Sequence, residues 1–147
     1  AVYTVITDHA LHLVSPLTFE TLTGKPVYSE TFSWERREMG HISLKEGASL
    51  FVIAPATANV IGKCANGIAD DLLTTTFLSV LCPVLLAPAM NPNMYNHWAV
   101  QENMEKLKSK GVHFIEPEEG VVACGDEGKG KLADVEEIYK AALHVLS

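Results

Sequence analysis

The sequence predicts an α/β protein with an open, mostly parallel sheet. Two observations predict it. The apolar runs are continuous rather than alternating, as expected for parallel strands that are covered on both faces. Helical patterns lie between these runs, which places helices on the two sides of the sheet. Together they indicate a three-layer fold of the flavodoxin-like or Rossmann-like type. The predicted strands are Val2–Ile6, Leu50–Ala54, Pro83–Ala87 and Val112–Ile115.

Apolar spacing over 100–107 predicts a helix, and a second helix is predicted at the end of the sequence. Asp134 is the expected N-cap of this last helix. Glu137 follows three residues later, which is the spacing of a capping box. The residues expected on its buried face are Val135, Ile138, Ala142 and Leu146.

Composition limits the classes of function. The 147 residues suit one domain, residues 1–147, and the formal net charge of −7 argues against a nucleic-acid surface. The longest nearly apolar run, Leu78–Met90, contains two prolines and is too short to cross a bilayer. The three cysteines lack CxxC spacing and predict reduced thiols, so we expect a cytoplasmic protein without membrane segments.

The second and third predicted strands end in the same way. Ile53–Ala56 and Leu86–Ala89 both end in Ala-Pro-Ala, and polar residues follow each at once. Ligands of doubly wound sheets bind beyond the carboxyl ends of the strands, which makes these two turns the expected binding edge. The alternative is that proline simply ends each strand and asparagine favours the turn.

A glycine-rich phosphate loop is missing after the first strand. Thr7–Ala10 follows that strand instead. Either the site works without such a loop or an earlier β-α unit is absent from this chain. The abrupt start on a strand favours the second explanation.

Gly125–Lys131 matches part of a phosphate-binding loop, G-x-x-x-x-G-K. Leu132 stands where the magnesium-binding hydroxyl belongs, and the acidic Asp126 and Glu127 would repel phosphate. We therefore interpret the segment as mobile or tightly turning, and able to act as a flap.

Three residues stand out as candidates for chemistry. An unperturbed histidine titrates near neutrality, so His41 is a candidate base, although its position alone favours a surface or capping histidine. Cys124 lies in the glycine-rich segment, where a thiol is more accessible than in a core. Asn91 can donate an amide hydrogen bond to a carboxylate at the sheet edge. His9 and His12 share a helical face, but no further ligand completes a metal site.

Several strings together carry a family resemblance that runs from about Val5 to Ile138. The chain resembles the homo-oligomeric flavin-containing cysteine decarboxylases, and most of all the members that act on phosphopantothenoylcysteine in coenzyme A biosynthesis. The strings are His41–Leu44, Ala54–Asn59, Gly67–Leu73, Pro88–Asn91 with Met94, and Ala123–Gly125 with Gly128 and Gly130.

The resemblance implies that FMN is the cofactor and lies across the carboxyl edge of the sheet. Thr7 and His9 are expected near its phosphate. Family members also hold the flavin with an upstream glycine-containing turn, which this chain lacks. The other expected flavin contacts are Thr57, Ala58, Asn59, Val60 and Ala89.

The resemblance also implies a lyase reaction that converts phosphopantothenoylcysteine to phosphopantetheine. In the family, FMN oxidises the thiol-bearing carbon, carbon dioxide leaves, and the reduced flavin returns a hydride. His41 is the implied acid/base. Asn91 is implied to bind the substrate carboxylate with Met94 nearby, and Cys124, on the flap, to donate the final proton.

Family members place the flavin between the subunits of a trimer, sometimes within a dodecamer, so we expect at least a trimer. Bacterial members are often fused to a ligase domain that adds cysteine to phosphopantothenate. Two alternatives stay open. One is a non-catalytic flavin-fold module that regulates a partner, and the other is a flavin prenyltransferase, which Cys124 disfavours.

Overall fold

The computed structural model describes residues 1–29 and 47–147, so His41 lies outside the described residues. The described strands are β1 (Thr4–Val5), β2 (Val27–Tyr28), β3 (Phe51–Ala56), β4 (Val84–Pro88), β5 (His113–Phe114), β6 (Glu118–Val121) and β7 (Glu127–Lys131). The described helices are α1 (Asp8–Leu11), α2 (Pro16–Thr23), α3 (Ala58–Asn66), α4 (Leu72–Ser79), α5 (Pro92–Tyr95), α6 (Trp98–Lys108) and α7 (Val135–Leu146). No described helix combines the length and apolar character that a membrane span requires.

The chain divides into two compact units, the first formed by Ala1–Ala48 and Ile68–Leu81 and the second by Ser49–Gly67 and Cys82–Ser147. In the first unit β1 pairs in parallel with β2. The N–H of Ile6 extends this pairing with a 2.9 Å hydrogen bond to the carbonyl of Tyr28. Helix α4 of this unit begins with a capping box, in which the Asp71 carboxylate accepts the N–H of Thr74 at 2.7 Å.

The second unit contains a parallel sheet in the order β3-β4-β5. Its central strand, β4, is buried along its whole length, which explains why this run is continuously apolar. Ile61 of α3 and Met104 of α6 are also buried. Mixed α/β structure with mainly parallel pairing confirms the predicted fold class.

Strand β3 does not end at Ala54, as the sequence suggested, but continues to Ala56. The Ala54–Pro55 peptide bond is cis, and the register with β4 shifts between Ile53 and Ala56. The N–H of Ala89 then donates to the carbonyl of Ala56 at 3.0 Å. The two Ala-Pro-Ala turns are therefore direct neighbours.

The glycine-rich segment forms regular structure that the sequence did not predict. Strands β6 and β7 pair as an antiparallel hairpin, and residues 122–126 form its tip. Cys124 lies in this hairpin tip.

Helix α7 begins where predicted, with the Asp134 side chain accepting the N–H of Glu136 at 2.9 Å. The predicted capping box is wrong, because the N–H of Asp134 donates to Glu118 of β6 at 3.0 Å and Glu137 pairs with Lys140. The predicted burial of both helix ends is also wrong: Val135 is 73% exposed. Only the middle of the predicted face, which includes Ile138 and Ala142, is half-buried.

Candidate functional site

The carboxyl edge of β3 and β4 presents small and polar residues. Thr57 caps helix α3, and its hydroxyl accepts the N–H of Val60 at 3.2 Å. Val60 is buried, so its side chain supports the helix start. Ala58 and Ala89 are half-buried and Asn59 is exposed. The residues predicted for this edge therefore lie close together. Val60 differs from the others because its side chain is buried beneath the surface and supports it.

Asn91 begins the short helix α5 directly after this edge. Its Oδ1 accepts the N–H of Asn93 at 2.8 Å, which fixes the plane of the amide. Its Nδ2 then faces the hairpin tip and donates to Cys124 Sγ at 3.3 Å and to the carboxylate of Asp126. Two residues predicted from separate sequence strings are thus in direct contact.

Asp126 is a member of this cluster that the sequence did not single out. The thiol of Cys124 donates to its carboxylate at 3.4 Å, so Asn91, Cys124 and Asp126 contact one another in a closed triangle. Its sequence signal was a carboxylate two residues after a loop cysteine. From the sequence alone, that carboxylate indicates only an obstacle to phosphate.

The base of the hairpin packs on the segment that carries Asn91. The N–H of Met90 donates to the carbonyl of Gly130 at 2.9 Å. A Cβ on Gly130 would overlap the Met90 carbonyl oxygen, and a Cβ on Gly128, at φ +148°, would lie 3.0 Å from Pro92. Both positions therefore favour glycine: Gly130 because a neighbouring backbone approaches too closely, and Gly128 because of its positive φ and the ring of Pro92. The mobility of the segment stays a prediction.

A charged cluster holds the other face of the hairpin. Lys129 of β7 pairs with Glu116 at 2.6 Å, and the hydroxyl of the buried Tyr95 donates to the same carboxylate at 3.0 Å. The hydrogen bond from Lys129 lowers the pKa of Glu116, with the Tyr95 bond acting in the same direction. Burial, followed by the bond to Glu116, raises the pKa of Tyr95. The cluster joins helix α5 to the hairpin.

Met94 lies on helix α5 and is 49% exposed. It lines a shallow depression of about 330 Å³ with Asn93, His97 and Val100, whose exposed surface is mostly apolar. Met94 lies three residues after Asn91, and its position beside the substrate stays a prediction.

Thr7 and His9 belong to the first unit. Thr7 caps helix α1, accepting the N–H of Ala10 at 3.3 Å, and His9 is exposed on that helix. Both residues follow β1, as predicted. Their role, like that of His41, stays a prediction.

The edge of β3 and β4 suits a flat aromatic group. Ala54 and Pro55 are exposed, and together with the half-buried Ala58 and Ala89 they leave an accessible surface without large side chains. Asn59 adds an exposed amide that can donate to and accept from ring heteroatoms. The residues present therefore fit the flavin that the sequence predicts.

With this geometry in place, the chain can be assigned to a class. It matches the model of the Flavoprotein family over residues 1–147 and belongs to that family. It is 51% identical over 139 residues to the coenzyme A biosynthesis bifunctional protein CoaBC of Bacillus subtilis (strain 168). The match covers 94% of this chain and 34% of that protein. The chain thus spans about a third of the length of the curated relatives it matches.

Solved structures agree with this assignment. A cysteine-to-serine mutant of PPC decarboxylase complexed with pantothenoylaminoethenethiol has a TM-score of 0.86 and 31% identity, with 97% of this chain and 81% of that chain covered. The FMN-dependent cysteine decarboxylase SpaF has a TM-score of 0.80 and 36% identity, with 98% and 78% covered. These findings confirm the resemblance predicted from the sequence.

Proposed function

We propose that this chain is the FMN-dependent decarboxylase part of a coenzyme A biosynthesis protein and converts phosphopantothenoylcysteine to phosphopantetheine. The observation that carries the proposal is the contact of Asn91 with Cys124 beside the edge of β3 and β4. An amide that can bind a carboxylate and a thiol that can donate a proton are two of the groups that the proposed reaction requires beside its cofactor, and His41 is the third. The similarity to CoaBC and to PPC decarboxylase supports the choice of substrate.

FMN would be held by the edge residues of the second unit, and the contacts of Thr7 and His9 with its phosphate stay an expectation from the family resemblance. When bound, FMN supplies the two-electron oxidation of the thiol-bearing carbon and the later return of a hydride. The edge residues that would hold it are Thr57, Ala58, Asn59 and Ala89, with Val60 supporting them from the core.

Each of the protein's own groups has a proposed task. His41 would take and return protons during oxidation and loss of carbon dioxide. Asn91 would donate its amide N–H groups to the substrate carboxylate, and Met94 would contact the apolar part of the substrate. Once the substrate carboxylate has left as carbon dioxide, Cys124 would donate its S–H proton to a carbon of the enethiol. The saturated product needs one hydride in addition, which bound FMN would supply.

The location and assembly are part of the same proposal. Reduced cysteines and a coenzyme A precursor as substrate favour the cytoplasm. The length of the CoaBC relatives favours a natural protein with a fused phosphopantothenate–cysteine ligase domain. By family analogy the oligomer would be a trimer, or trimers assembled into a dodecamer.

Cys124→Ser tests the proposal, with Cys82→Ser as the matched control at a second cysteine. We expect Cys124→Ser to release carbon dioxide and accumulate the enethiol, because the serine hydroxyl is a much weaker proton donor. Cys82→Ser should form the normal product. The readouts are carbon dioxide release and the mass of the product, which is two hydrogens lighter when the enethiol accumulates.

Three results would contradict the proposal. Saturated product from Cys124→Ser at the wild-type rate would remove the role of the thiol. Decarboxylation of free cysteine or of a peptide ending in cysteine, without turnover of phosphopantothenoylcysteine, would favour a cysteine decarboxylase of the SpaF kind. A wild-type protein that binds FMN and releases no carbon dioxide from any of the three would favour a regulatory module.

A further inference from the structure

The amide nitrogen of Asn91 has both of its N–H donors engaged in the described structure. A primary amide has two N–H donors, and those of Asn91 go to Cys124 and to Asp126. Its oxygen accepts the N–H of Asn93. A substrate carboxylate can therefore accept a hydrogen bond from the Asn91 amide nitrogen only if one of the two contacts with the hairpin tip is released.

Of the two contacts of the Asn91 amide, the one with Asp126 has the same chemistry as a contact with the substrate carboxylate. Both are carboxylates that accept from the same N–H, and two carboxylates at one donor would repel each other. The Asp126 contact is also charge-assisted and so stronger than the contact with the thiol sulfur. The Asp126 carboxylate thus accepts the hydrogen bond that Asn91 would otherwise donate to the substrate carboxylate.

We propose that Asp126 is a positioning residue that competes with the substrate carboxylate for Asn91 and thereby times the arrival of Cys124. This inference rests on the proposed function. Substrate binding displaces Asp126 and moves the hairpin tip away from Asn91. When the carboxylate leaves as carbon dioxide, Asp126 regains the amide, and Cys124 returns with it to the reacting centre. The thiol is then presented after decarboxylation, when its proton is needed.

The hairpin allows this movement at its tip while its base stays in place. The tip is closed by two short backbone hydrogen bonds, from Val122 to Asp126 at 2.9 Å and from Gly125 to Val122 at 2.8 Å. Residues 123–126 are all exposed. The base is held by the bond between Met90 and Gly130. Asp126 and Cys124 therefore move as one short turn, so the position of the carboxylate determines that of the thiol.

Asp126→Ala is the direct test, and Glu127→Gln is the control, since it changes the neighbouring carboxylate, which is exposed at the start of β7. Removing the internal competitor should lower the KM for phosphopantothenoylcysteine by about tenfold, the equivalent of one charge-assisted hydrogen bond. The same variant should lower kcat and release part of the substrate as enethiol, because Cys124 no longer returns in time. Glu127→Gln should leave both unchanged.

A conservative variant separates positioning from a structural role. Asp126→Glu keeps a carboxylate within reach of the amide, so it should restore saturated product relative to Asp126→Ala. The flavin absorbance spectrum and the circular dichroism of each variant report whether the holoenzyme is intact. If Asp126→Ala loses its flavin, Asp126→Asn, which keeps the shape and removes the charge, takes its place with the same expected fall in KM.

The results separate a failure of the timing role of Asp126 from a failure of the proposed function. If the wild type turns over the substrate and Asp126→Ala shows an unchanged or raised KM with no enethiol, the timing role of Asp126 is overturned and the proposed function stands. If the wild type releases no carbon dioxide from phosphopantothenoylcysteine, the proposed function itself fails. A lower KM together with enethiol release supports the timing role.

Discussion

Gly130→Ala probes the contact on which the geometry of the site depends. Gly130 lies in β7 against the segment that carries Asn91, and it is buried. A Cβ at this position would overlap the Met90 carbonyl oxygen and lie 3.3 Å from the backbone nitrogen of Pro92. Every one of these neighbours is backbone, so no side chain can rotate away to make room.

The expected cost has two parts. Forcing one methyl group into a closely packed backbone contact costs about 1–3 kcal/mol. Moving β7 away from the segment around Met90 also weakens the 2.9 Å hydrogen bond from the Met90 N–H to the Gly130 carbonyl, which is worth about 1 kcal/mol. We therefore expect Gly130→Ala to lower the free energy of unfolding by about 2–4 kcal/mol. It should also reduce formation of saturated product, because the hairpin tip moves with its base.

Gly62→Ala is the matched control. Gly62 lies inside helix α3, where an added Cβ would lie 3.6 Å from Asn103 Nδ2, an ordinary contact. Alanine favours a helix over glycine by about 1 kcal/mol, so this variant should be neutral or more stable. Equilibrium urea unfolding by circular dichroism, at fixed protein and FMN concentrations, measures both. Equal stability of Gly130→Ala and wild type would refute the close approach of β7 to Met90.

Two further substitutions test local electrostatics and capping. Glu116→Gln should lower stability at pH 7 by up to about 1 kcal/mol, since its pair with Lys129 is partly exposed and screened. The Lys129 bond lowers the pKa of Glu116, so its contribution is present above the unfolded pKa of about 4.3 and is lost as pH falls through the folded value. The urea midpoints of Glu116→Gln and the wild type should therefore converge below about pH 4, and a difference that stays constant with pH would contradict this. Glu137→Gln, which removes the carboxylate of an exposed ion pair within a helix, is the control and should change the midpoint less. Asp71→Ala should cost about 1 kcal/mol, because helix α4 loses its N-cap bond to Thr74; an unchanged thermal midpoint would argue against the capping box.

The sequence predicted the parallel strands well because burial on both faces leaves a local signal. Leu85 and Leu86 belong to a run without a single polar residue, and that run is the fully buried strand β4. The two Ala-Pro-Ala turns were informative for the same reason. Each marks the end of a buried strand, and neighbouring parallel strands place such ends at one edge.

The hairpin was missed because little in its own sequence favours strands. Glu127–Lys131 consists of glycine, lysine and glutamate, which are depleted in strands. It is held in place by contacts with distant residues, through Gly130 to Met90 and through Lys129 to Glu116. The role of Asp126 was hidden in the same way, because its partner Asn91 is 35 positions away.

The ends of helix α7 show a similar limit. A pattern of apolar residues predicts which face of a helix is inward, but not how much of its length is covered. Val135 follows that pattern and is nevertheless 73% exposed. Glu118 of the hairpin accepts the N–H of Asp134 in place of the predicted capping partner. Tertiary contacts therefore decided both the cap and the burial.

The hairpin gives the reactive thiol two supports of different kinds. At the base, Gly130 allows direct backbone packing and Gly128 leaves room for the ring of Pro92, and this close packing resists displacement. At the tip, the contacts among Asn91, Cys124 and Asp126 are exposed hydrogen bonds that a competing carboxylate can replace. The proposed reaction needs both, since the thiol must be withdrawn while the substrate carboxylate is bound and returned accurately once it has gone. Rigid attachment at one end and exchangeable contacts at the other meet that requirement with a single short turn.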